Sequence, residues 1–353
     1  MKKLKVGIIG TGSIAKAVHL PNYKKLEDVE LAACADIDLK AAKAVSKEYK
    51  IPHVYEDYNE MLEKESLDAV SVCTPNVIHT APAVAALKAG VHVLTEKPMS
   101  GSLSGARQMY EASKKYKRIL VVGYQTRFRI DLNSIKDFAD AGELGEVYYS
   151  RALALRKWGV ATRPTFIDKK LSGGGPLLDI GCYPIDMIMY VLGFPAPKTA
   201  YAVTYNKICK NPSMARKGGW GGRWKPEDFQ VEDNAFGFVK FRNGMTMLLE
   251  TNWASFSPAD VFGIVLLGTK GGAQLTPLEF YKDIQQKRVV IKPHDEIKQP
   301  DIYELRISKF IESVKRGKPL FCPAIEGLKD QAILDALSRS AELGREVEVE
   351  WGF

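Results

Sequence analysis

The chain has 353 residues, of which 46% are hydrophobic and 26% charged, and 50 basic side chains against 42 acidic ones leave a formal net charge of +8. That length exceeds what one core usually organises, so two domains are expected, and the composition is that of an ordinary globular protein. No apolar run approaches the roughly 20 residues that span a bilayer, and the lysines are dispersed among acids with no Lys/Arg block, zinc-finger or RNP pattern, which argues against a membrane or nucleic-acid partner.

The chain opens on basic residues, but only Val6 to Ile9 follow before glycine. That is too short for a secretory h-region and reads as a first strand. From there to Gly123, apolar runs of strand length alternate with helically spaced segments. The runs are Lys5–Ile9, Val29–Ala35, Asp68–Cys73, Val91–Leu94 and Ile119–Val122. Between them lie Ile14–Leu26, Asp38–Tyr49, Val77–Lys88 and Leu103–Lys117, with Gly90 closing the third helix. Such alternation predicts parallel βαβ units, wound right-handed, with helices on both faces of one sheet.

After Asp131 the rhythm changes. Val147–Leu155, Ala200–Tyr205, Ala235–Phe241, Met245–Asn252, Phe262–Leu267 and Arg288–Ile291 follow one another as strands, with turns such as Asn243-Gly244. The expected fold is α/β. A doubly wound parallel sheet spans 1–123, and an α+β domain with a large, mostly antiparallel open sheet spans 124–353. Lys217–Trp224 is the expected long functional loop. Cys34, Cys73, Cys182, Cys209 and Cys322 are odd in number and form no Cys-x-x-Cys pair. A reduced, cytoplasmic protein with no disulfide framework and no metal site is the expectation.

The sharpest local signal is Gly10-Thr11-Gly12-Ser13-Ile14-Ala15, directly after the first strand. Gly10 permits the tight turn, Gly12 lets backbone approach a pyrophosphate, and Ala15 keeps the helix near the strand. The helix start at Ser13 and Ile14 then faces the phosphates. This is the fingerprint of a Rossmann dinucleotide site. The second strand ends on Asp36, whose carboxylate can accept both ribose hydroxyls of NAD and would repel the 2′-phosphate of NADP. NAD is the expected cofactor, with Lys40 keeping NADP open.

Two more features follow later strands, at the ends where ligands of doubly wound sheets gather. One is Thr74-Pro75-Asn76, with His79 just beyond; the other is Glu96-Lys97-Pro98. Asn76 reads equally as a cofactor contact or a plain helix cap, and His79 as a contact or a helix-surface residue. Lys97 stands over the expected cleft, where its ammonium can polarise a hydroxyl or carbonyl oxygen during hydride transfer. The bland alternative is a surface ion pair with Glu96.

With Gly173-Gly174-Gly175-Pro176-Leu177-Leu178-Asp179-Ile180-Gly181-Cys182-Tyr183-Pro184-Ile185-Asp186 added, these motifs in this order resemble the Gfo/Idh/MocA family, the glucose–fructose oxidoreductase and inositol dehydrogenase group. The resemblance spans most of the chain and is weakest at 206–226 and 282–301. It implies hydride transfer between NAD(P) and a hydroxyl carbon of a sugar, polyol or related compound. It also implies a catalytic set of Lys97, Asp179 and Tyr183, which bind substrate as well. Many members carry histidine where Tyr183 stands, and tyrosine is similar to the glucose–fructose oxidoreductase and dihydrodiol dehydrogenase branch. A phenol with an ordinary pKa of about 10 must be acidified to work near neutrality, and the Lys97 ammonium is the group expected to do so. The cofactor contacts implied are Gly10, Gly12, Ser13, Ile14, Asp36, Thr74, Pro75, Asn76, His79, Glu96 and Lys97.

Asp179 and Tyr183 are spaced i, i+4 and would share one face of a helix, but Pro184 suits a first turn and would start that helix only near Cys182. Asp179 then lies in the entry loop. The Gly173–Gly175 run is expected to open space beside the cofactor, and Asp186 to be either a substrate acceptor or a first-turn carboxylate. Tyr124 and Arg127 stand where the family places an aromatic and an arginine near the substrate, and Trp158 joins them as a sugar-stacking candidate. Trp224 and Trp253 read as core anchors. The open sheet suggests a homo-oligomer, a dimer or tetramer, through its exposed face. Two other functions remain: an enzyme that holds NAD tightly for transient internal oxidation, and a non-catalytic ligand sensor.

Overall fold

The structure is a computed structural model that describes residues 3–319 and 321–353. Contacts divide it into two units, Met1–Gln125 with Asp301–Leu328, and Thr126–Pro300 with Lys329–Phe353. The segment Asp301–Leu328, assigned from sequence to the second domain, therefore packs with the first. Its helix Ile302–Arg316 carries Arg306 into that unit's core, and the Cys322 carbonyl accepts from the Val122 amide at 3.0 Å.

In the first unit six strands form one sheet: β1 (Leu4–Ile9), β2 (Val29–Ala35), β3 (His53–Tyr55), β4 (Ala69–Val72), β5 (His92–Thr95) and β6 (Leu120–Val122). Their order is β3-β2-β1-β4-β5-β6 and every pairing is parallel, as the expected doubly wound sheet requires. Apolar runs such as β4, buried along its whole length, suit strands covered on both faces. The strand order reverses between β1 and β4, the point beside which ligands of such sheets bind. β3 escapes the sequence reading because it is short and lacks an apolar run.

In the second unit nine strands make an open sheet: β7 (Val147–Leu155), β8 (Pro197–Tyr205), β9 (Asn234–Phe241), β10 (Thr246–Asn252), β11 (Val261–Gly268), β12 (Gly271–Gln274), β13 (Glu279–Ile284), β14 (Lys287–Ile291) and β15 (Val347–Glu348). The order is β14-β13-β12-β11-β7-β10-β9-β8-β15, with β10 and β7 parallel and the other pairs antiparallel. The turn Asn243-Gly244 joins β9 to β10, with Gly244 at φ +90°. Strands here alternate buried and partly exposed residues, so one face packs inward and the other stays open. The helix Cys182–Val191 is buried along most of its length. Among the described residues no helix is long and apolar enough to cross a membrane.

Candidate active site

In the first unit the glycine turn closes as its sequence predicts. Gly10 sits at φ +91°, and a Cβ there would lie 2.8 Å from the Cys73 carbonyl carbon, so only glycine fits between β1 and β4. A Cβ on Gly12 would meet nothing within 4 Å, which leaves open space over the helix start at Ser13 and Ile14. The helix holds one π-helical turn, Ala15–His19, a local widening often found at functional sites.

Asp36 is engaged by the glycine turn. Its Oδ2 accepts from the Thr11 amide at 2.6 Å and the Thr11 hydroxyl at 2.9 Å, and its Oδ1 accepts from the Asp38 amide at 2.9 Å. The carboxylate thus ties the glycine turn to the end of β2. Past β4, the Thr74 hydroxyl is buried with no hydrogen-bond partner among the described residues. An orphaned donor beside the glycine turn, together with the open space at Gly12, fits a bound dinucleotide.

His79 is not on the surface. It is 1% exposed, with Nδ1 2.9 Å from the Pro98 carbonyl and Nε2 2.9 Å from the Thr74 carbonyl. The imidazole therefore clips the Thr74-Pro75-Asn76 turn to the Lys97-Pro98 turn, and burial pulls its pKa below the ordinary value. Pro75 and His79, not Asn76, occupy the cap positions of the two short helices here, and neither is capped by a side chain.

Glu96 is likewise buried, which overturns the surface pair with Lys97. Its Oε1 accepts from His19 Nε2 at 2.7 Å and from Arg306 at 2.8 Å. His19 Nδ1 lies 3.0 Å from the Ser71 hydroxyl, which is 2.7 Å from the Tyr23 hydroxyl. The donors run in one direction when His19 is neutral: Tyr23 to Ser71, Ser71 to His19 Nδ1, and His19 Nε2–H to Glu96. Burial pushes the Glu96 carboxyl up, but the Arg306 guanidinium and the His19 bond outweigh it and hold the group below the usual carboxylate range. Burial lowers the His19 pKa in turn. The half-buried Lys97 follows directly on this anchored carboxylate.

In the second unit the Gly-rich motif folds into two short helices. Pro176–Asp179 makes one turn, Ile180 and Gly181 interrupt it, and the next helix runs Cys182–Val191. The second helix begins where Pro184 required, but Asp179 ends a helix rather than lying in a loop. The glycine run serves packing: a Cβ on Gly175 would fall 2.0 Å from the Glu232 carbonyl oxygen, and Glu232 Oε1 accepts from the Leu177 amide at 3.1 Å. Burial pushes the Glu232 carboxyl up. Asp179 Oδ2 accepts from the Trp253 indole at 3.0 Å, and the Tyr183 ring meets Phe262 edge-on at 6.0 Å. Trp253 is a core residue, as expected, that also holds the Asp179 carboxylate.

The other substrate candidates divide. Tyr124 is fully buried in the first unit. Arg127 is buried against Asp186, with Nε at 3.0 Å and Nη2 at 2.5 Å from Oδ1, and lies over the Tyr190 and Phe194 rings at 4.9 and 5.5 Å. Asp186 is thus the partner of an internal ion pair, neither of the two roles its sequence suggested. Trp158 stays partly exposed and donates its indole N–H to the Gly218 carbonyl at 3.0 Å. In the expected functional loop Trp224 is buried, and Trp220 projects outward under the Arg163 guanidinium.

Residues 4–124 match the oxidoreductase family with an NAD-binding Rossmann fold, and residues 132–274 match the Gfo/Idh/MocA C-terminal domain. The chain is 36% identical over 348 residues to D-glucoside 3-dehydrogenase of Escherichia coli, covering 98% of this chain and 97% of that one. It is 24% identical to myo-inositol 2-dehydrogenase of Thermotoga maritima over 98% and 99% of the two chains. In fold it is similar to an oxidoreductase domain protein from Kribbella flavida, at TM-score 0.85 and 22% identity, and to levoglucosan dehydrogenase in complex with NADH, at TM-score 0.81 and 21% identity. Each alignment covers 99% of this chain and all of the other. The chain belongs to the Gfo/Idh/MocA oxidoreductase family and is an NAD(P)-dependent enzyme of CH–OH chemistry.

Proposed function

We propose that the protein oxidises a ring hydroxyl of a D-glucoside to a ketone with NAD. The observation that carries this reading is the likeness to the D-glucoside 3-dehydrogenase along nearly the whole chain. The oxidation removes a hydride from the carbon and a proton from its hydroxyl, and NAD supplies the hydride acceptor when bound. Lys97 polarises the reacting oxygen through its ammonium. Tyr183 takes the hydroxyl proton as its own phenolic proton passes to the Asp179 carboxylate, in the position where many relatives use histidine. Asp179, aimed by Trp253, orients the hydroxyl and carries the proton onward. Asp36 supports NAD over NADP, because a carboxylate tied to the glycine turn repels a 2′-phosphate. Ile37, 91% exposed beside it, offers an apolar side chain that an adenine ring would cover.

Five buried thiols fit a reducing cytoplasm, and the exposed Tyr201 and Tyr205 on β8 fit a homo-oligomer built through the open sheet. The test is a screen of methyl glucosides, free aldoses and polyols with both cofactors, following NADH absorbance. Stoichiometric NADH from glucosides is the expected result. Product without net NADH would instead mean internal oxidation by retained cofactor. A Lys97→Ala variant is expected to bind NAD normally while kcat falls about a hundredfold to ten-thousandfold. Near-normal kcat would remove Lys97 from the chemistry.

A further inference from the structure

Within the second unit, residues 157–159 continue β7 and pair with 253–255. Gly159 N–H donates to the Trp253 carbonyl at 2.7 Å, Ser255 N–H to the Lys157 carbonyl at 3.3 Å, and Trp158 bridges Ala254. The strand extension that aims Asp179 through Trp253 therefore also carries Trp158 and Phe256. Rings connect the two ends: Trp158 to Trp224 at 6.3 Å, Trp224 to Phe229 at 6.2 Å, and Phe229 to Trp253 at 6.0 Å. At the Trp158 end of these rings lies a cavity of 410 Å³, bounded by Trp158, Phe256, Met214, Ile208 and the lysines 157 and 217.

Three features of the cavity point to one kind of occupant. Phe256 is 86% exposed and no other ring packs on it among the described residues, so a broad apolar face stands in water at the rim. The Lys217 ammonium lies 4.1 Å from the Trp158 ring centroid. Among the described residues neither Lys217 nor Lys157 has an ion-pair partner, and no carboxylate lines the cavity. A flat ring would cover Phe256, and an acid on that ring would pair with Lys217 as a charge-assisted hydrogen bond.

We propose that this cavity is an aglycone subsite that takes an aromatic ring bearing a carboxylate, joined to the glucose unit whose hydroxyl is oxidised. The proposal rests on the glucoside reading above and sharpens it: the second half of the substrate is planar and acidic. Phe256 supplies the stacking face and Lys217 the counter-charge. Trp158, pinned by its bond to the Gly218 carbonyl, sets the depth.

The experiment compares methyl, phenyl and 4-carboxyphenyl D-glucosides, both anomers of each, with the full-length enzyme and NAD. The expected order of kcat/KM is carboxyphenyl over phenyl over methyl, by about tenfold at each step. Phe256→Ala should abolish the advantage of phenyl over methyl and leave the methyl glucoside rate unchanged. Lys217→Met should abolish only the advantage of the carboxylate. Equal rates for the three substrates in the native enzyme, or an equal loss on all three in either variant, overturns the subsite. Quenching of tryptophan emission by the carboxyphenyl glucoside separates the two ideas. If no glucoside is oxidised yet quenching is saturable and lost in Lys217→Met, the subsite stands and the glucoside chemistry falls. If neither turnover nor saturable quenching is seen, both fall.

Discussion

The Trp253 indole donates to Asp179 Oδ2 at 3.0 Å from inside a fully buried aromatic cluster. A neutral donor on a rigid core ring thus fixes the position of the Asp179 carboxylate. Trp253→Phe keeps most of the volume and removes the N–H. Loss of one hydrogen bond to a charged group should lower kcat about tenfold to a hundredfold, with a much smaller change in the KM for NAD. Steady-state kinetics with both substrates varied decides it, and an unchanged kcat would mean that Asp179 needs no such aim.

Glu96 and Arg306 are both buried, and the pair joins β5 to a helix from the far end of the chain. Glu96→Gln removes the carboxylate partner of a buried guanidinium, so a loss of about 3–5 kcal/mol is expected in denaturant unfolding. Arg306→Met in the same background should recover part of that loss, since the uncompensated charge goes with it. A single variant as stable as the native protein would show that the pair carries no such energy.

Burial lowers the pKa of His19, His79 and His92, so these rings protonate more readily in the unfolded chain. Their contribution to stability is complete above the unfolded value of about 6.5 and is lost as pH falls from there toward the folded values. Glu232 has the opposite sign. Its raised carboxyl contributes stability that is fully present below about 4.3 and is lost as pH rises through the folded value. The melting temperature should therefore drop as pH falls from about 7.5 toward about 4.3, and the drop should steepen in Glu232→Gln, which lacks the opposing group. A flat profile in both proteins contradicts neutral buried imidazoles.

Asp36 holds the Thr11 amide and hydroxyl. In Asp36→Ala the ratio of NADP to NAD affinity should rise, because the repulsion of a 2′-phosphate disappears. Affinity for NAD should fall as well, because the glycine turn loses its tie to β2. Fluorescence titration with each reduced cofactor measures both. An unchanged ratio would place Asp36 away from the ribose.

What could be read in advance was local. The run Val6–Ile9, the turn at Gly10 and Gly12, and the acid at the end of β2 sit within one βαβ unit, and backbone sterics alone require glycine at Gly10. Where the reading failed, the missing information was a distant partner. Nothing near Glu96 marked it as half of a core ion pair because Arg306 lies far along the chain, and His19 had no marker because its partners sit on β4 (Ser71) and just past β5 (Glu96). Arg127 looked like a substrate residue because nothing near it announced Asp186.

The sequence by itself determined the strand–helix alternation, the glycine turn, Asp36 and the order of the Lys97, Asp179 and Tyr183 motifs, because each depends on spacing along a short stretch of chain. Only the tertiary structure decided which charged groups are consumed in the core. A buried charge must find a partner, and which partner it finds depends on where distant strands and helices meet. Trp253 beside Asp179 and Arg306 beside Glu96 exist only once the chain has folded.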